Sequence, residues 1–263
     1  MNDNRPIGFF DSGVGGISVL KEHIQLMPTE NYFYYCDSLN APYGIKSHDD
    51  IIRLTLNAAK VVVNQNVKAL VVACNTATAV AIDSLREIYE SPKYGIPVIG
   101  IEPALKPAVH SKSHPKIVVL ATPITLSEKK FAHLMECYHE DGNVITIGAP
   151  KLVEFVERGE TNSKELKAYL KSLFTEEVLE ELDGVVLGCT HFPLVKNAIS
   201  RVLPSGVLIF DGAKGTAKET HRRLETMGLL SSSLTAGEVT FKNSAGSQEI
   251  IERCNFFFTS VGL

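Results

Sequence analysis

Several hallmarks of specialised proteins are missing from this sequence of 263 residues. Its five cysteines are an odd number and form no CxxC pair and no zinc-type spacing, so neither a disulfide scaffold nor a metal module is expected. No basic run exceeds His221-Arg222-Arg223, which gives little support to binding of nucleic acid or a lipid surface. No stretch of about 20 apolar residues and no signal-peptide pattern occurs, so we expect no membrane span.

The composition is that of an ordinary globular protein. Hydrophobic residues make up 44% of the chain and charged residues 21%, unlike disordered or collagen-like sequences. The length is sufficient for a sizeable core in one or two domains. With 26 basic and 30 acidic side chains the net charge is −4, and we expect reduced thiols, a cytoplasmic location and a small-molecule ligand.

Short β-rich apolar runs alternate with longer amphipathic segments along the whole chain. This alternation predicts βαβ units on mainly parallel sheets, an α/β fold. The predicted strands are Ile7–Phe10, Tyr32–Cys36, Ala69–Ala73, Val98–Ile101, Lys116–Ala121, Val144–Ile147, Gly184–Leu187 and Val207–Phe210. Near the C-terminus, Val239-Thr240-Phe241-Lys242 and Asn255-Phe256-Phe257-Phe258 predict late strands at a sheet edge.

One motif nearly repeats. Val71-Val72-Ala73-Cys74-Asn75-Thr76 and Val186-Leu187-Gly188-Cys189-Thr190-His191 each lead from a buried-type strand through a cysteine into a helical segment. Their separation of 115 residues is too long for a solenoid repeat and suits two related lobes. Turn-forming residues near the crossovers predict a discontinuous first lobe, residues 1–97 plus 207–263, and a second lobe of residues 98–206.

Polar and glycine-rich segments follow the predicted strands, where open α/β sheets bind their ligands. Asp11-Ser12-Gly13-Val14-Gly15-Gly16 allows close backbone approach and offers amides to an anion, although it lacks the GxGxxG pattern of dinucleotide sites. Asp37 and the turn Pro42-Tyr43-Gly44 lie in a long loop after the second strand. Each segment alone could be an ordinary connecting turn.

Cys74 and Cys189 carry the sharpest chemical argument. A helix N-terminus lowers the pKa of a thiol, and each cysteine precedes a predicted helix. Paired thiols could form a redox disulfide, bind a soft metal, or serve as acid and base on opposite faces of one carbon. Only His191 lies near in sequence as a further metal ligand, which favours the acid and base pair. Asp11, Asp37, Glu157 and His191 are the candidates to assist proton transfer.

Four motifs, in this order, resemble the bacterial glutamate racemases of the cofactor-independent aspartate/glutamate racemase superfamily. They are Ile7-Gly8-Phe9-Phe10-Asp11-Ser12-Gly13-Val14-Gly15-Gly16, Asp37 with Ala41-Pro42-Tyr43-Gly44, Ala73-Cys74-Asn75-Thr76-Ala77, and Leu187-Gly188-Cys189-Thr190-His191-Phe192-Pro193-Leu194. The segment from Ala149-Pro150 to Val156-Glu157-Arg158-Gly159 is similar to the family stretch that places a glutamate near the second thiol.

The resemblance implies two pseudo-symmetric α/β lobes, each a mainly parallel sheet flanked by helices, with the active site in the cleft between them. It implies interconversion of L- and D-glutamate without pyridoxal phosphate, any other cofactor or a metal, to supply D-glutamate for peptidoglycan and cell shape. Cys74 would act on the D face and Cys189 on the L face. The substrate would be held by residues that match the family motifs: Asp11, Ser12, Pro42, Tyr43, Gly44, Asn75, Thr76, Thr125, Thr190 and His191. Similar racemases often form homodimers.

Three other functions remain open from the residues. An aspartate or hydantoin racemase would use the same pair of thiols. A thiol hydrolase would use Cys189 as nucleophile and His191 as base, and would leave Cys74 without a task. A two-lobed protein that binds glutamate without turnover would need neither thiol.

Overall fold

Two parallel sheets organise the computed structural model, which describes residues 3–260. The strands are β1 (Ile7–Asp11), β2 (Tyr32–Cys36), β3 (Ala69–Val72), β4 (Val98–Gly100), β5 (Lys116–Ala121), β6 (Asn143–Gly148), β7 (Gly184–Gly188), β8 (Leu208–Asp211) and β9 (Val239–Asn243). The first sheet has the order β4-β3-β1-β2-β9 and the second the order β6-β5-β7-β8, with parallel pairing throughout. The predicted α/β class and all eight earlier strands are confirmed, each end within one residue.

Helices fill most of the connections between strands. They are α1 (Ile17–Leu26), α2 (His48–Val63), α3 (Asn75–Tyr89), α4 (Leu105–Val109), α5 (Pro123–Ser127), α6 (Lys129–Cys137), α7 (Pro150–Glu157), α8 (Lys164–Leu173), α9 (Glu176–Leu179), α10 (Lys196–Ser200), α11 (Ala213–Thr226) and α12 (Gln248–Ser260). Short 3-10 turns span Ser38–Asn40, Tyr43–Ile45 and Phe192–Val195. None of the helices between residues 3 and 260 combines the length and apolar character that a membrane span requires.

The two sheets share one strand order. The series β4-β3-β1-β2 in the first sheet corresponds to β8-β7-β5-β6 in the second, and β9 extends the first sheet beyond β2. β3 and β7 are therefore equivalent strands, and so are β1 and β5. Residues that follow these four central strands lie at the carboxyl ends of the sheets, where α/β proteins bind ligands.

Strand pairing shifts both of the expected crossovers between lobes. β4 pairs with β3 in the first sheet, although residues from 98 onward were expected in the second lobe. β8 pairs with β7 in the second sheet, although residues from 207 onward were expected in the first. Each crossover follows the strand instead of preceding it, because glycine and proline mark where a turn occurs but not which sheet the next strand joins.

The two late strands predicted at the C-terminus have different outcomes. Residues 239–242 lie in β9, at the edge of the first sheet, as predicted. The prediction for residues 255–258 is wrong, since they belong to α12. Cys254 and Phe257 are both buried while Phe256 is half exposed, so the apolar residues follow the helical spacing of three instead of alternating.

Candidate active site

A small cavity lies between the carboxyl ends of β1 and β3 in one sheet and of β5 and β7 in the other. The residues that line it are Ser12, Pro42, Tyr43, Gly44, Cys74, Asn75, Thr76, Thr122, Val153, Cys189, Thr190 and His191. All of them except Thr122 and Val153 were expected from the sequence. The two cysteines follow the equivalent strands β3 and β7, so the repeated motif brings one thiol from each sheet to the same cavity.

Cys74 is buried at the start of α3. Its sulfur lies 3.4 Å from the Ser12 hydroxyl and accepts a hydrogen bond from the Ala77 amide at 3.5 Å, so the side chain caps the helix. Burial, followed by the negative charge of Asp11, raises the pKa of the Cys74 thiol to about 12. The Ala77 amide at the helix N-terminus lowers this pKa as expected, and so does Ser12, but the loss of water outweighs both donors and the net shift is upward. Cys74 is a neutral thiol at neutral pH.

Cys189 has a different environment. A 3-10 turn, Phe192–Val195, precedes α10, so Cys189 does not cap an α-helix as Cys74 does. Its sulfur lies 3.7 Å from Nδ1 of His191, and Nε2 of the same ring lies 2.6 Å from the Glu157 carboxylate. Burial lowers the pKa of His191, but these two partners outweigh it and hold that pKa well above its usual value. The ring of His191 thus lies between the Cys189 sulfur and the Glu157 carboxylate.

The glycine-rich loop after β1 serves carboxylates of the protein itself. Asp11 accepts a hydrogen bond from the Gly16 amide at 2.6 Å and one from the Thr190 hydroxyl at 3.3 Å. The Val14 amide donates to Glu157 at 2.9 Å. Burial raises the pKa of Asp11, although His191 and the Gly16 amide work in the opposite direction. The loop thus ties Asp11 and Glu157 to the segment that carries Cys189.

Close packing at Gly13 leads to a prediction. A Cβ atom at this position would lie 1.8 Å from Oε1 of Glu157 and 2.9 Å from Nε2 of His191. We expect Gly13→Ala to lower turnover about 100-fold, because the carboxylate must leave its place beside the imidazole. Steady-state kinetics of the purified variant measure this effect.

Gly215→Ala is the matched control for that substitution. Gly215 lies exposed in α11, where a Cβ meets open space, so alanine should leave turnover unchanged and stabilise the helix. Turnover of Gly13→Ala within about twofold of the parent protein would contradict the importance of this contact.

Four predicted residues lie behind the cavity wall, and one of them is Asp11, which accepts a hydrogen bond from Thr190 of the lining. Asp37 accepts a hydrogen bond from the Tyr43 hydroxyl at 2.6 Å and from the Asn40 side chain at 3.0 Å. Thr125 bonds the Thr122 hydroxyl at 2.9 Å, and Glu157 reaches the cavity through His191. In the described part of the chain these four residues support lining side chains and do not line the cavity themselves.

Hydroxyl and amide groups cover the wall next to Cys74. The hydroxyls of Thr76 and Thr122 lie 3.0 Å apart. Among residues 3–260, neither the oxygen nor the nitrogen of the Asn75 side-chain amide finds a hydrogen-bond partner, although both atoms are buried. A buried amide without partners is costly, so these atoms are available to a polar ligand.

The role of Thr122 in the cavity could have been predicted from its position after a strand, although it belongs to none of the motifs named above. Thr122 follows β5 directly, as Ser12 follows the end of the equivalent strand β1. Alignment of the two halves by strand order, and not by the cysteine motif alone, would have identified it. Val153 is an apolar residue of α7, and nothing in its sequence context distinguishes it from other core positions.

Comparisons with known proteins assign the chain to a family. A family model described as Asp/Glu/Hydantoin racemase matches residues 15–220, a range that contains Cys74, Cys189 and His191. A glutamate racemase of Clostridium botulinum (strain Alaska E43 / Type E3) is 50% identical over 249 residues, which cover 95% of each chain. The fold and these matches define the class of protein as an amino-acid racemase.

Solved structures give the same result. The glutamate racemase of Francisella tularensis in complex with D-glutamate has a TM-score of 0.83 and 28% identity, covering 98% of this chain and 95% of that one. The Escherichia coli glutamate racemase in complex with L-glutamate and the activator UDP-MurNAc-ala has a TM-score of 0.79 and 31% identity, covering 96% and 95%. The chain belongs to the Asp/Glu/Hydantoin racemase family, and the resemblance to its glutamate racemases is confirmed.

Proposed function

We propose that this protein interconverts L- and D-glutamate by proton transfer between Cys74 and Cys189. The observation that carries the proposal is the meeting of two thiols, one after each of the equivalent strands β3 and β7, in a single cavity. Racemisation must return a proton to the face opposite the one it left, which two bases accomplish without turning the substrate over. We propose glutamate and not aspartate as the substrate because two related proteins, solved in complex with D- and L-glutamate, share this fold over nearly the whole chain.

The two thiols have complementary roles in each direction. With L-glutamate, the Cys189 thiolate removes the α-proton, so an S–H bond forms as the C–H bond breaks. The electron pair moves into the α-carboxylate, and the Cys74 thiol then donates its proton to the opposite face. The raised pKa of Cys74 and the cation at His191 support this starting state. With D-glutamate the sequence of steps is reversed.

Hydrogen-bond donors stabilise the negative charge that develops on the substrate carboxylate. The α-proton of an amino acid is a weak acid, so charge that develops on the carboxylate must be stabilised as it forms. The Asn75 amide, which has no partner among the described residues, and the hydroxyls of Ser12, Thr76 and Thr190 line the cavity and in this proposal hold the substrate. Among the described residues that line the cavity, His191 is the only basic one. Asp11 and Glu157 orient Thr190 and His191, while Asp37 orients Tyr43.

The biological setting follows from the product. We propose that the D-glutamate formed is supplied for peptidoglycan synthesis and so for cell wall biogenesis and cell shape. A cytoplasmic location suits a mechanism that needs both cysteines as reduced thiols. We further propose a homodimer, which analytical ultracentrifugation of the purified protein would test.

The decisive experiment is incubation of pyridoxal-phosphate-free protein with L-glutamate in deuterated buffer. Optical rotation and the α-proton NMR signal should fall together, because each inversion brings one solvent deuteron to Cα. D-glutamate should give the mirror-image result. A response to aspartate alone would contradict the substrate but leave the two-thiol mechanism, and silence with both amino acids would contradict the activity.

A further inference from the structure

We propose that Arg253 is a positioning residue for the Cys189 half of the site, a role that rests on the function proposed above. Arg253 belongs to the C-terminal helix α12, far in sequence from all the motifs. Its guanidinium donates one hydrogen bond to the backbone carbonyl of Glu157 and another to the Glu249 carboxylate, at 2.6 Å. Glu157 in turn holds His191, which faces Cys189.

The contact lies at the end of a helix. Glu157 is the last residue of α7, and the last carbonyls of a helix have no partner within it. A cation that bonds such a carbonyl also interacts favourably with the negative end of the helix dipole. Arg253 therefore fixes the backbone from which the Glu157 side chain extends. Burial raises the pKa of that carboxyl, but His191, the Val14 amide and the charge of Arg253 together lower it below its usual value.

Arg253 itself is held by the packing of α12 on the first sheet. Cys254 and Phe257 are buried, and the Phe258 ring packs on Phe241 of β9 at a centroid distance of 5.7 Å. The side chain of Arg253 is only 23% exposed. α7, by contrast, connects β6 to the segment before β7 of the second sheet. Arg253 thus links a helix that packs on the first sheet to Glu157, which orients the His191 imidazole beside the second sheet.

The link is specific to one of the two thiols. A continuous set of contacts leads from Arg253 through Glu157 and His191 to the Cys189 sulfur. Cys74 is held instead by Ser12 and the Ala77 amide. Loss of Arg253 should therefore impair proton transfer at Cys189 much more than at Cys74.

The test uses single-thiol variants, in which one base can exchange the α-proton without inversion. In Cys74→Ser, which retains Cys189, we expect Arg253→Gln to slow exchange of L-glutamate in deuterated buffer about tenfold. In Cys189→Ser, which retains Cys74, exchange of D-glutamate should change less than about twofold. Arg253→Lys keeps the positive charge but lacks the two separate nitrogens that bond the Glu157 carbonyl and the Glu249 carboxylate. In the Cys74→Ser background its exchange rate should therefore lie between those of arginine and glutamine at this position. Equal losses in both backgrounds, or none, would overturn the proposal.

One further measurement, with a control variant, separates this proposal from the activity itself. The imidazole titration of His191, which faces Glu157, Cys189 and Asp11, can be followed by NMR without any substrate, and Arg253→Gln should move it to lower pH. An unchanged titration would overturn the positioning role even if glutamate is racemised, whereas a shifted one with no turnover would contradict only the proposed function. Arg222→Gln, which removes an exposed arginine paired with Glu219, is the matched control and should alter neither readout.

Discussion

Replacement of Cys74 or Cys189 by serine is expected to lower racemisation of glutamate by about 10³- to 10⁴-fold. Each change removes the only group proposed to give or take a proton on one face of Cα, and a hydroxyl is far less acidic than a thiol. Racemisation is followed by optical rotation from both enantiomers. Because L- and D-glutamate have equal free energies in an achiral solvent, kcat/KM must fall equally in the two directions.

The other buried thiols provide the control. Cys36 and Cys254 are as buried as Cys74, and neither lines the cavity formed by the described residues. Cys36→Ser and Cys254→Ser should therefore keep turnover close to that of the parent protein, with modest losses of stability. Near-normal racemisation in both Cys74→Ser and Cys189→Ser would contradict the two-thiol mechanism. Loss of racemisation in Cys189→Ser alone would contradict the role proposed for Cys74.

Local sequence determined much of the fold. Each of the first eight strands is a short apolar run bounded by turn-forming residues, so its position could be predicted to within one residue. The segment around Phe257 could not, because its apolar residues fit a strand or one face of a helix equally well over four positions. Sheet membership of β4 and β8 depends on pairing between distant segments, about which a local pattern carries no information.

The site divides in a similar way. Residues in strand-end motifs, such as Cys74 and Cys189, could be predicted because chemistry and position coincide there. The pKa of Cys74 could not, since the helix N-terminus is visible in the sequence while the depth of burial is not. The contact of Arg253 with Glu157 joins residues 96 positions apart, and no local sequence pattern indicates that the two approach each other.

A large loss of stability is expected from a substitution far from the cavity, at a buried ion pair. Nζ of Lys68 lies 2.5 Å from Oε2 of Glu30, with side-chain exposures of 0% and 2%. Lys68 also donates to the carbonyls of Asp3 and Leu229, each at 2.8 Å, and Glu30 accepts from the Ser231 amide at 2.7 Å. The pair therefore joins the N-terminal segment, the start of β3 and the chain that leads from α11 to β9.

We expect Lys68→Met to lower the free energy of unfolding by about 3–5 kcal/mol, because it leaves the Glu30 carboxylate buried without a counter-charge. Urea unfolding of the purified variant measures this change. Lys112→Met is the matched control: Lys112 lies 2.6 Å from Asp183 but is 56% exposed, so its loss should cost less than about 1 kcal/mol.

The double variant Lys68→Met/Glu30→Gln separates the charge from the packing. A neutral amide in place of the carboxylate removes the uncompensated charge, so the double variant should be more stable than Lys68→Met alone. The remaining deficit reflects the carbonyls of Asp3 and Leu229, which lose their donor in both variants. If Glu30→Gln gives no recovery, unpaired charge is not the cause of the loss, and the carbonyl contacts account for the stability of this region.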